Sequence, residues 1–353
     1  MCRKKVVLGM SGGVDSSVAA YLLREQGYDV VGVTMNVWQG KNADKDIAAI
    51  EDAKMVAKTL GIEYHVANYK EQFMEKVVDY FINEYLSGRT PNPCNICNRR
   101  IKWECLLQTA RDFGADYVAT GHYARVDRLD NGRYAICNSV TAKKDQTYAL
   151  CNLTQEQLSK TLMPIGQYEK EEIRAIAARI GLDVASKADS QDICFIPDGD
   201  YAAFIRENRD INILPGNFVD RENNILGQHN GITDYTIGQR KGLGLAMGHP
   251  VFVTDIDVEK NQVVIGENED LFTTTVVADH FNYMAVESMS EGDRFVGKIR
   301  YAHKGTPCRV VRAWEDKVEV EFDEPVRAIT PGQAMVLYKG EYVAGGGLIC
   351  RNV

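Results

Sequence analysis

The sequence predicts an α/β protein in three parts: a parallel-sheet domain at residues 1–200, a small mixed domain at 201–270 and a β-barrel at 271–353. Three observations support this fold class. Strand and helix patterns alternate through the first part, and a glycine–serine turn joins its first strand to its first helix. Apolar and polar residues alternate through the last part, between glycine and proline breaks and without a helical period.

The first part alternates between buried-strand and amphipathic-helix patterns. Strands are predicted at residues 30–37, 63–67 and 116–120, and helices at 46–60 and 70–86. Such alternation indicates a parallel sheet with helices on both faces. A ligand of such a sheet binds at the carboxyl ends of the strands.

Two segments without periodicity interrupt this pattern, at residues 87–97 and 186–199. Prolines and asparagines in the first segment argue against a helix there, so the next helix is predicted at 98–113. A hairpin is predicted at 123–138, turning at Asn131-Gly132.

The turn Ser11-Gly12-Gly13-Val14-Asp15-Ser16-Ser17 follows an apolar strand at residues 4–10. Its glycines let the backbone approach phosphate oxygens, and the helix N-terminus directs N–H groups at the charge. Asp15 is a candidate ligand for Mg²⁺. The turn lacks the Walker lysine and resembles the SGGxDS loop of ATP pyrophosphatases, which adenylate a substrate and release pyrophosphate. The alternative is a simple strand-to-helix turn.

The composition restricts the partners and the compartment. Net charge is −8, so RNA contacts need local basic patches. Two candidates are Arg240-Lys241 and the stretch from residue 294 to 312, which has six basic residues and no acidic one. No apolar run approaches the ~20 residues of a membrane span, and nine cysteines form no disulfide framework, which predicts a cytoplasmic protein without a membrane partner.

Two cysteines are candidates for catalysis. Cys97 precedes the predicted helix at 98–113 and is followed by Arg99, Arg100 and Lys102, which predicts a lowered thiol pKa. Cys194 lies in the second aperiodic segment. The pair is expected above the ligand edge of the sheet, although each cysteine alone could be structural.

Over nearly its full length the chain resembles the bacterial tRNA-specific 2-thiouridylases. The motifs that carry this resemblance are Gly9 to Ser16, Thr90-Pro91-Asn92-Pro93, Cys97-Asn98, Ile101-Lys102, Thr120-Gly121-His122-Tyr123, Lys144-Asp145-Gln146, Ile193-Cys194-Phe195, Thr236 to Gly244 and Pro331-Gly332-Gln333. The resemblance implies ATP-dependent 2-thiolation of the wobble uridine of tRNA.

The resemblance also implies residue roles. Cys97 is the expected nucleophile, and Cys194 is expected to carry the persulfide sulfur. The expected ATP contacts are Gly9, Met10, Ser11, Gly12, Gly13, Val14, Asp15, Ser16, Met35 and Gly121. The expected tRNA contacts are Asn92, Pro93 and Cys94 near the target base, together with His122, Lys144, Asp145, Gln146, Arg300, Tyr301 and Gln333.

The implied mechanism has two stages. The uridine C2 oxygen attacks the α-phosphate of ATP and releases pyrophosphate, and the Cys194 persulfide then delivers sulfur while AMP leaves. In the family, Cys97 completes sulfur release by forming a disulfide with Cys194. The expected partners are tRNA and an upstream persulfide donor, either a cysteine desulfurase or a sulfur-relay protein.

Position 94 departs from the family pattern. An aspartate, a candidate acid–base group, usually follows Asn-Pro here, but this chain has Cys94. With Cys97 and Cys194 it makes a three-thiolate set that resembles sulfur-transfer relatives holding a [4Fe–4S] cluster, so a cluster on Cys94, Cys97 and Cys194 is one hypothesis, with a persulfide relay and structural zinc as alternatives. The rival functions are a cluster-dependent tRNA sulfurtransferase, an amidotransferase-linked synthetase and an inactive nucleotide-dependent tRNA-binding paralogue.

Overall fold

The computed structural model describes residues 3–38, 43–182, 193–209 and 212–351. In the first part, the elements in chain order are β1 (Lys5–Gly9), α1 (Val14–Glu25), β2 (Asp29–Asn36), α2 (Ala43–Leu60), β3 (Glu63–Asn68), α3 (Lys70–Phe73), α4 (Asp79–Leu86), α5 (Pro93–Cys97), α6 (Glu104–Asp112), β4 (Tyr117–Ala119), β5 (Arg125–Arg128), β6 (Tyr134–Cys137), α7 (Gln155–Ser159), β7 (Thr161–Leu162) and α8 (Lys170–Arg179). Two π-helical turns, Met74–Val78 and Asn98–Trp103, connect α3 to α4 and α5 to α6.

The first part contains a parallel sheet in the order β3-β2-β1-β4-β7. Val6, Val7 and Leu8 of the central strand β1 are fully buried, as expected for a strand covered on both faces. The predicted parallel α/β architecture is confirmed. The carboxyl end of β1 leads directly into the glycine turn and α1.

The middle part is small and mixed. It comprises α9 (Tyr201–Asn208), β8 (Gly216–Val219), β9 (Ile225–His229), β10 (Phe252–Asp257) and β11 (Gln262–Gly266). Its strands form a sheet in the order β10-β11-β8-β9, around a core that includes Phe218 and Val253.

The last part is a closed six-stranded barrel. Its strands are β12 (Phe272–Tyr283), β13 (Arg294–Lys298), β14 (Thr306–Ala313), β15 (Val318–Arg327), β16 (Ala334–Lys339) and β17 (Tyr342–Ile349). They follow the order β12-β15-β14-β13-β16-β17, and β12 pairs with β17 to close the barrel. The predicted barrel is confirmed, while the predicted limits of the three parts stay a prediction.

The hairpin β5–β6 connects the first part to the barrel. It turns at Asn131-Gly132 as predicted, but Cys137 of β6 pairs with Tyr342 of β17 and so extends the sheet of the barrel. Arg133 donates from Nε to the Met284 carbonyl oxygen at 2.7 Å. These two parts therefore share backbone pairing as well as a packed surface.

The prediction that residues 87–97 contain no helix is wrong. Helix α5 begins at Pro93 and runs through the π turn Asn98–Trp103 into α6. Proline is tolerated at the first helical position, because its missing N–H would have no partner in that turn. Of the second predicted aperiodic segment, 186–199, residues 186–192 lie outside the described residues and 193–199 lie within them. No helix within the described ranges is long and apolar enough to cross a membrane.

Candidate functional site

The strand that enters the glycine turn is fixed by hydrogen bonds to its neighbour. Gly9 ends β1, and the next residue, Met10, donates its N–H to the Val33 carbonyl oxygen at 2.9 Å. The Met10 carbonyl oxygen accepts a hydrogen bond from Thr34 Oγ1 at 2.8 Å. Met35 follows Thr34 on β2 and is partly buried. Two of the expected ATP contacts, Met10 and Met35, thus lie at the carboxyl ends of adjacent strands.

The turn has a backbone that only glycine accommodates well. Gly12 has φ +69°, and a Cβ atom built there would lie 2.2 Å from the Ala49 carbonyl oxygen. Helix α1 begins at Val14, and Gly13 is its N-cap without a side-chain cap. The first N–H groups of the helix are therefore free of a side-chain cap and direct their positive ends at the turn.

The serine hydroxyls of the turn stabilise the turn itself. Ser17 Oγ donates to the Gly13 carbonyl oxygen at 2.8 Å, and Ser16 Oγ donates to the same atom at 3.2 Å. Ser11 donates its backbone N–H to Ser16 Oγ at 3.2 Å. A Cβ atom on Gly121 would lie 2.7 Å from Ser16 N, so the segment after β4 packs directly against the start of α1.

The Asp15 carboxylate is held by protein groups on both oxygens. Lys170 Nζ lies 2.8 Å from Oδ1 and 2.9 Å from Oδ2, and Tyr123 Oη donates to Oδ1 at 2.7 Å. The Lys170 side chain is only 9% exposed. The sequence suggests Asp15 as a Mg²⁺ ligand. In the structure, its carboxylate is instead neutralised by the buried Lys170 ammonium.

Lys170 is a site residue that the sequence prediction missed. It follows Asp15 by 155 residues and is the first residue of α8. The sequence carries no local signal for this role, because both the burial of Lys170 and its pairing with Asp15 come from the folded chain. The Lys170 ammonium balances the Asp15 carboxylate beside the glycine turn, where phosphate oxygens are expected.

The thiol site begins at the N-terminus of α5. Asn92 is the N-cap, and its Oδ1 accepts the Cys94 N–H at 3.1 Å. Cys94 is therefore the cysteine in the first helical turn. The sequence predicts Cys97 just before the start of a helix. In the structure it is the last residue of α5, and the helical chain continues through it into the π turn.

The predicted lowering of the Cys97 pKa is wrong. Burial raises the pKa of this thiol to about 12, Lys102 opposes that increase, and Cys194 and Cys94 add to it. Cys97 packs beside the aromatic cluster that contains Phe73 and Phe81. The cost of placing a thiolate there exceeds the benefit of the nearby cations, so Cys97 is protonated at neutral pH.

Cys194 lies next to an aromatic anchor. The Phe195 ring is 3% exposed and lies 5.6 Å from the Phe73 ring and 5.4 Å from the Phe81 ring. Cys194 is exposed as a residue, yet neighbouring protein atoms partly desolvate its sulfur and raise its pKa; Cys94 raises it further and Lys102 lowers it. Cys94, Cys97 and Cys194 thus lie within electrostatic range of one another.

The donor sets for the expected metal groups do not fit as they stand. Within the described part of the chain, no three His, Cys, Asp or Glu residues form a group that could hold a metal ion. Among the described residues, the three thiols therefore do not form a ready [4Fe–4S] site, and Asp15 does not belong to a three-ligand group for Mg²⁺.

His122 connects the glycine turn to the thiols. It follows Gly121, its Nδ1 lies 2.8 Å from Thr120 Oγ1, and its Nε2 lies 3.5 Å from Lys102 Nζ. Its ring centroid lies 5.5 Å from that of Trp103. Burial, together with the Lys102 charge, holds the His122 pKa well below its usual value, so the imidazole is neutral.

Several residues expected to contact tRNA make intramolecular contacts. Asp145 Oδ2 accepts the Ser139 N–H at 2.9 Å, and Gln146 Oε1 accepts the Tyr123 N–H at 2.8 Å. Lys144 belongs to a short 3₁₀ turn just before them. Tyr301, which is 52% exposed, donates from Oη to the Asp145 carbonyl oxygen at 3.0 Å.

Two further residues of this set belong to the barrel. Arg300 Nη1 donates to the Arg327 carbonyl oxygen at 2.8 Å. Gln333 Nε2 donates to the Thr90 carbonyl oxygen at 2.8 Å, just before Asn92 and Pro93. The structure thus brings the barrel against the segment that starts the cysteine helix.

The expected basic stripe on the barrel is partly neutralised. Arg294 pairs with Asp323, and Arg309 pairs with Glu321. Both acids lie on β15, which the sequence does not place beside these arginines. The stretch without acidic residues is therefore not a continuous positive surface.

Family models and individual relatives match this chain over nearly its whole length. Three family models match: the tRNA methyl transferase HUP domain at residues 4–198, the tRNA methyl transferase PRC-barrel domain at 203–267 and the aminomethyltransferase beta-barrel domain at 273–349. The tRNA-specific 2-thiouridylase MnmA of Lachnoclostridium phytofermentans is 56% identical, over 99% of this chain and all of that protein. The protein of the same name from Clostridioides difficile is 52% identical, over 99% of each chain.

Proposed function

Because this chain belongs to the tRNA-specific 2-thiouridylase family, we propose that it replaces the C2 oxygen of the wobble uridine of tRNA with sulfur at the expense of ATP. The observation that carries the proposal is a continuous set of contacts. Ser16 of the glycine turn packs against Gly121, the adjacent His122 lies beside Lys102, and the Lys102 charge acts on Cys97 and Cys194. A phosphate-binding turn and a thiol pair therefore share one site.

In the proposed first stage, the glycine turn receives the phosphates of ATP. The uridine C2 oxygen attacks the α-phosphorus, the bond to the β-phosphate oxygen breaks, and pyrophosphate leaves. The N–H groups at the start of α1 face the developing negative charge, and the Lys170 ammonium offsets the neighbouring Asp15 carboxylate, which would otherwise repel that charge. Bound Mg²⁺ would neutralise phosphate charge, whereas the Asp15 carboxylate is already paired with Lys170.

In the proposed second stage, sulfur replaces the activated oxygen. The terminal sulfur of a Cys194 persulfide attacks C2, and AMP leaves with the former C2 oxygen. The Cys97 thiolate then attacks the Cys194 sulfur. The persulfide bond breaks, its electron pair stays on the sulfur at C2, and Cys97 and Cys194 become a disulfide. Two thiols are oxidised and one sulfane sulfur is reduced, so electrons balance. The target base must be flipped out of its stack to reach this site.

The burial of Cys97 gives this order of events a physical reason. A thiol with a pKa of about 12 stays protonated at rest and does not attack the Cys194 persulfide prematurely. Its deprotonation needs a base or a change of surroundings in the loaded complex. Cys94 stands where the family usually has a carboxylate, so the chain supplies no aspartate for that task at this position.

The remaining roles are part of the same proposal. The ATP contacts are Gly9 to Ser16, Met35 and Gly121, and the tRNA contacts are those named above. An upstream persulfide donor must recharge Cys194, and a reductant must reopen the disulfide. The cytoplasm is the proposed compartment, because tRNA and ATP are available there. Limits at residues 1–200, 201–270 and 271–353 divide the chain into adenylating, central and barrel parts.

The test is thiolation in vitro with ATP, unmodified tRNA and a persulfide donor, followed by nucleoside analysis. Wild type is expected to form 2-thiouridine with one AMP per sulfur, and Cys194→Ser is expected to form none. Cys350→Ser is the matched control, because that cysteine lies at the end of the barrel. Wild type that binds tRNA but yields neither AMP nor 2-thiouridine would support an inactive paralogue instead.

The cluster alternative is tested with Cys94→Ala protein prepared anaerobically. A persulfide relay needs only Cys97 and Cys194, so this variant is expected to thiolate tRNA without iron. Loss of activity together with loss of iron–sulfur absorption, relative to reconstituted wild type, would favour the cluster. Rescue by Cys94→Asp alone would instead identify position 94 as an acid–base position.

A further inference from the structure

Three parts of the molecule meet at Thr90, in the segment between α4 and α5. The barrel accepts the Thr90 N–H at the Pro331 carbonyl oxygen, 2.8 Å away, and Gln333 Nε2 donates to the Thr90 carbonyl oxygen at 2.8 Å. The middle part contributes Thr236, whose Oγ1 lies 3.2 Å from Thr90 Oγ1. We call Thr90, Thr236, Pro331 and Gln333 the Thr90 junction.

The junction is closely packed on the side of the barrel. Gly332 has φ +89°, and a Cβ atom there would lie 3.1 Å from both Arg89 Cβ and Thr90 N. Arg89 Nε donates at 2.8 Å to Oε2 of Glu84, which is 6% exposed. The chain on either side of Thr90 therefore has little freedom to shift relative to the barrel.

Gln333 is itself fixed within the barrel. Its N–H donates to the Thr330 carbonyl oxygen at 3.1 Å, and its carbonyl oxygen accepts the Ile349 N–H at 2.8 Å. Its side-chain amide thus extends from a rigid turn to the Thr90 carbonyl. Two residues beyond Thr90, Asn92 caps the helix that carries Cys94 and Cys97.

We infer that Gln333 is a positioning residue for sulfur transfer: through Thr90 it sets where the cysteine helix begins and hence where Cys97 lies. This role differs from the tRNA contact expected from the family resemblance. The inference rests on the proposed function for its effect on catalysis. The proposed adenylation takes place at the glycine turn, which contains no residue of the Thr90 junction. Adenylation is therefore expected to depend less on Gln333 than sulfur transfer does.

The test compares Gln333→Met with Arg300→Met. Methionine keeps the length of the side chain but cannot donate to Thr90, whereas Arg300 is an expected tRNA contact whose side chain donates to the Arg327 carbonyl oxygen rather than to Thr90. For Gln333→Met, kcat for 2-thiouridine is expected to fall about three- to tenfold, the loss expected for one hydrogen bond. The KM for tRNA is expected to rise by less than kcat falls, because the lost hydrogen bond positions the cysteine helix for the chemical step. Arg300→Met is expected to raise KM.

A second readout does not depend on activity. Amide hydrogen exchange of residues 90–97 is expected to accelerate in Gln333→Met and to stay unchanged in Arg300→Met. If wild type proves inactive, the exchange measurement still decides the inference. A Gln333→Met protein with raised KM, unchanged kcat and unchanged exchange at 90–97 would overturn it and leave Gln333 as a tRNA contact alone.

Discussion

Lys102 is the cation whose charge acts on both thiols of the proposed sulfur transfer. It follows Cys97 by five residues on a continuous helix. In a regular α-helix, five residues turn through about 500°, which leaves the two side chains about 140° apart. The π turn Asn98–Trp103 closes its hydrogen bonds over five residues and so turns Lys102 towards the side of Cys97. A local irregularity thus brings a charge to the site.

Substitution of this lysine is predicted to make both thiols less reactive. Lys102→Met removes the charge that lowers the pKa of Cys97 and Cys194, so both pKa values rise. Both cysteines therefore hold a smaller thiolate fraction at pH 8 than in wild type, and both are labelled more slowly. The measurement is the rate of iodoacetamide labelling at each cysteine, followed by mass spectrometry from pH 6 to 9.

The matched control is Arg100→Met. Arg100 lies on the same π turn but pairs with Glu104 at 3.1 Å, and its charge is not among the main influences on the pKa of either thiol. Labelling rates in this variant are expected to equal those of wild type. Equal slowing in the two variants would show that only net charge matters and would contradict the assignment to Lys102.

At this scale, the sequence predicts which residues matter better than it predicts their state. Cys97 is identified by its motif, but its pKa is raised, whereas the sequence predicts a lowered pKa. The nearby cations are visible along the chain, whereas the burial that outweighs them arises where Cys97 packs against a cluster that includes Phe73, Phe81 and Phe195. Lys170 is likewise invisible to local motifs, because its partner Asp15 is 155 residues away.

At the scale of elements, the cysteine helix depends on its first turn. Asn92 Oδ1 accepts the Cys94 N–H, and Pro93 occupies the first helical position. Loss of an N-cap side chain costs about 1 kcal/mol of helix stability. The prediction is that Asn92→Ala lowers the free energy of unfolding by about this amount and accelerates amide exchange at Cys94 and Asn95.

Asn92→Asp separates capping from contact with the target base. Aspartate caps a helix as well as asparagine does, so its stability is expected to match wild type. If Asn92 makes the proposed tRNA contact, a carboxylate at this position is nevertheless expected to raise the KM for tRNA. If Asn92→Asp is as unstable as Asn92→Ala in urea denaturation, capping does not explain the role of this residue.

Helix α5 also shows why an element can be missed. Pro91, Asn92 and Pro93 indicate a break in periodicity, and the sequence prediction places the helix after them. The pattern Asn-Pro is equally a start signal, with a cap followed by proline in the first turn. The strands of the parallel sheet and the longer helices that cover it are predicted closely. Their spacing of apolar residues reflects which side of each element is buried.

At the scale of the whole molecule, the first part and the barrel share one hydrophobic core. A single buried cluster includes Trp103 and Tyr148 from the first part with Val336 and Val343 from the barrel. Tyr148 Oη donates to the Ala334 carbonyl oxygen at 2.8 Å. The sequence predicts each part separately, but it contains no signal that β6 pairs with β17.

This shared core predicts that the two parts unfold together. The full chain is expected to show one calorimetric transition for the first part and the barrel. A fragment of residues 1–200 would expose Tyr148 and Ile136, so it is expected to melt at a lower temperature or to aggregate. A fragment that melts at the temperature of the full chain would contradict a common core.

The central claim, that ATP activates the uridine oxygen before thiol-borne sulfur replaces it, is tested most directly by isotope transfer. The substrate is tRNA with ¹⁸O at the C2 position of the target uridine, and the measurement is the mass of the AMP formed in one turnover. Adenylation of that oxygen predicts one ¹⁸O in AMP for each 2-thiouridine. Unlabelled AMP alongside normal 2-thiouridine would contradict the account.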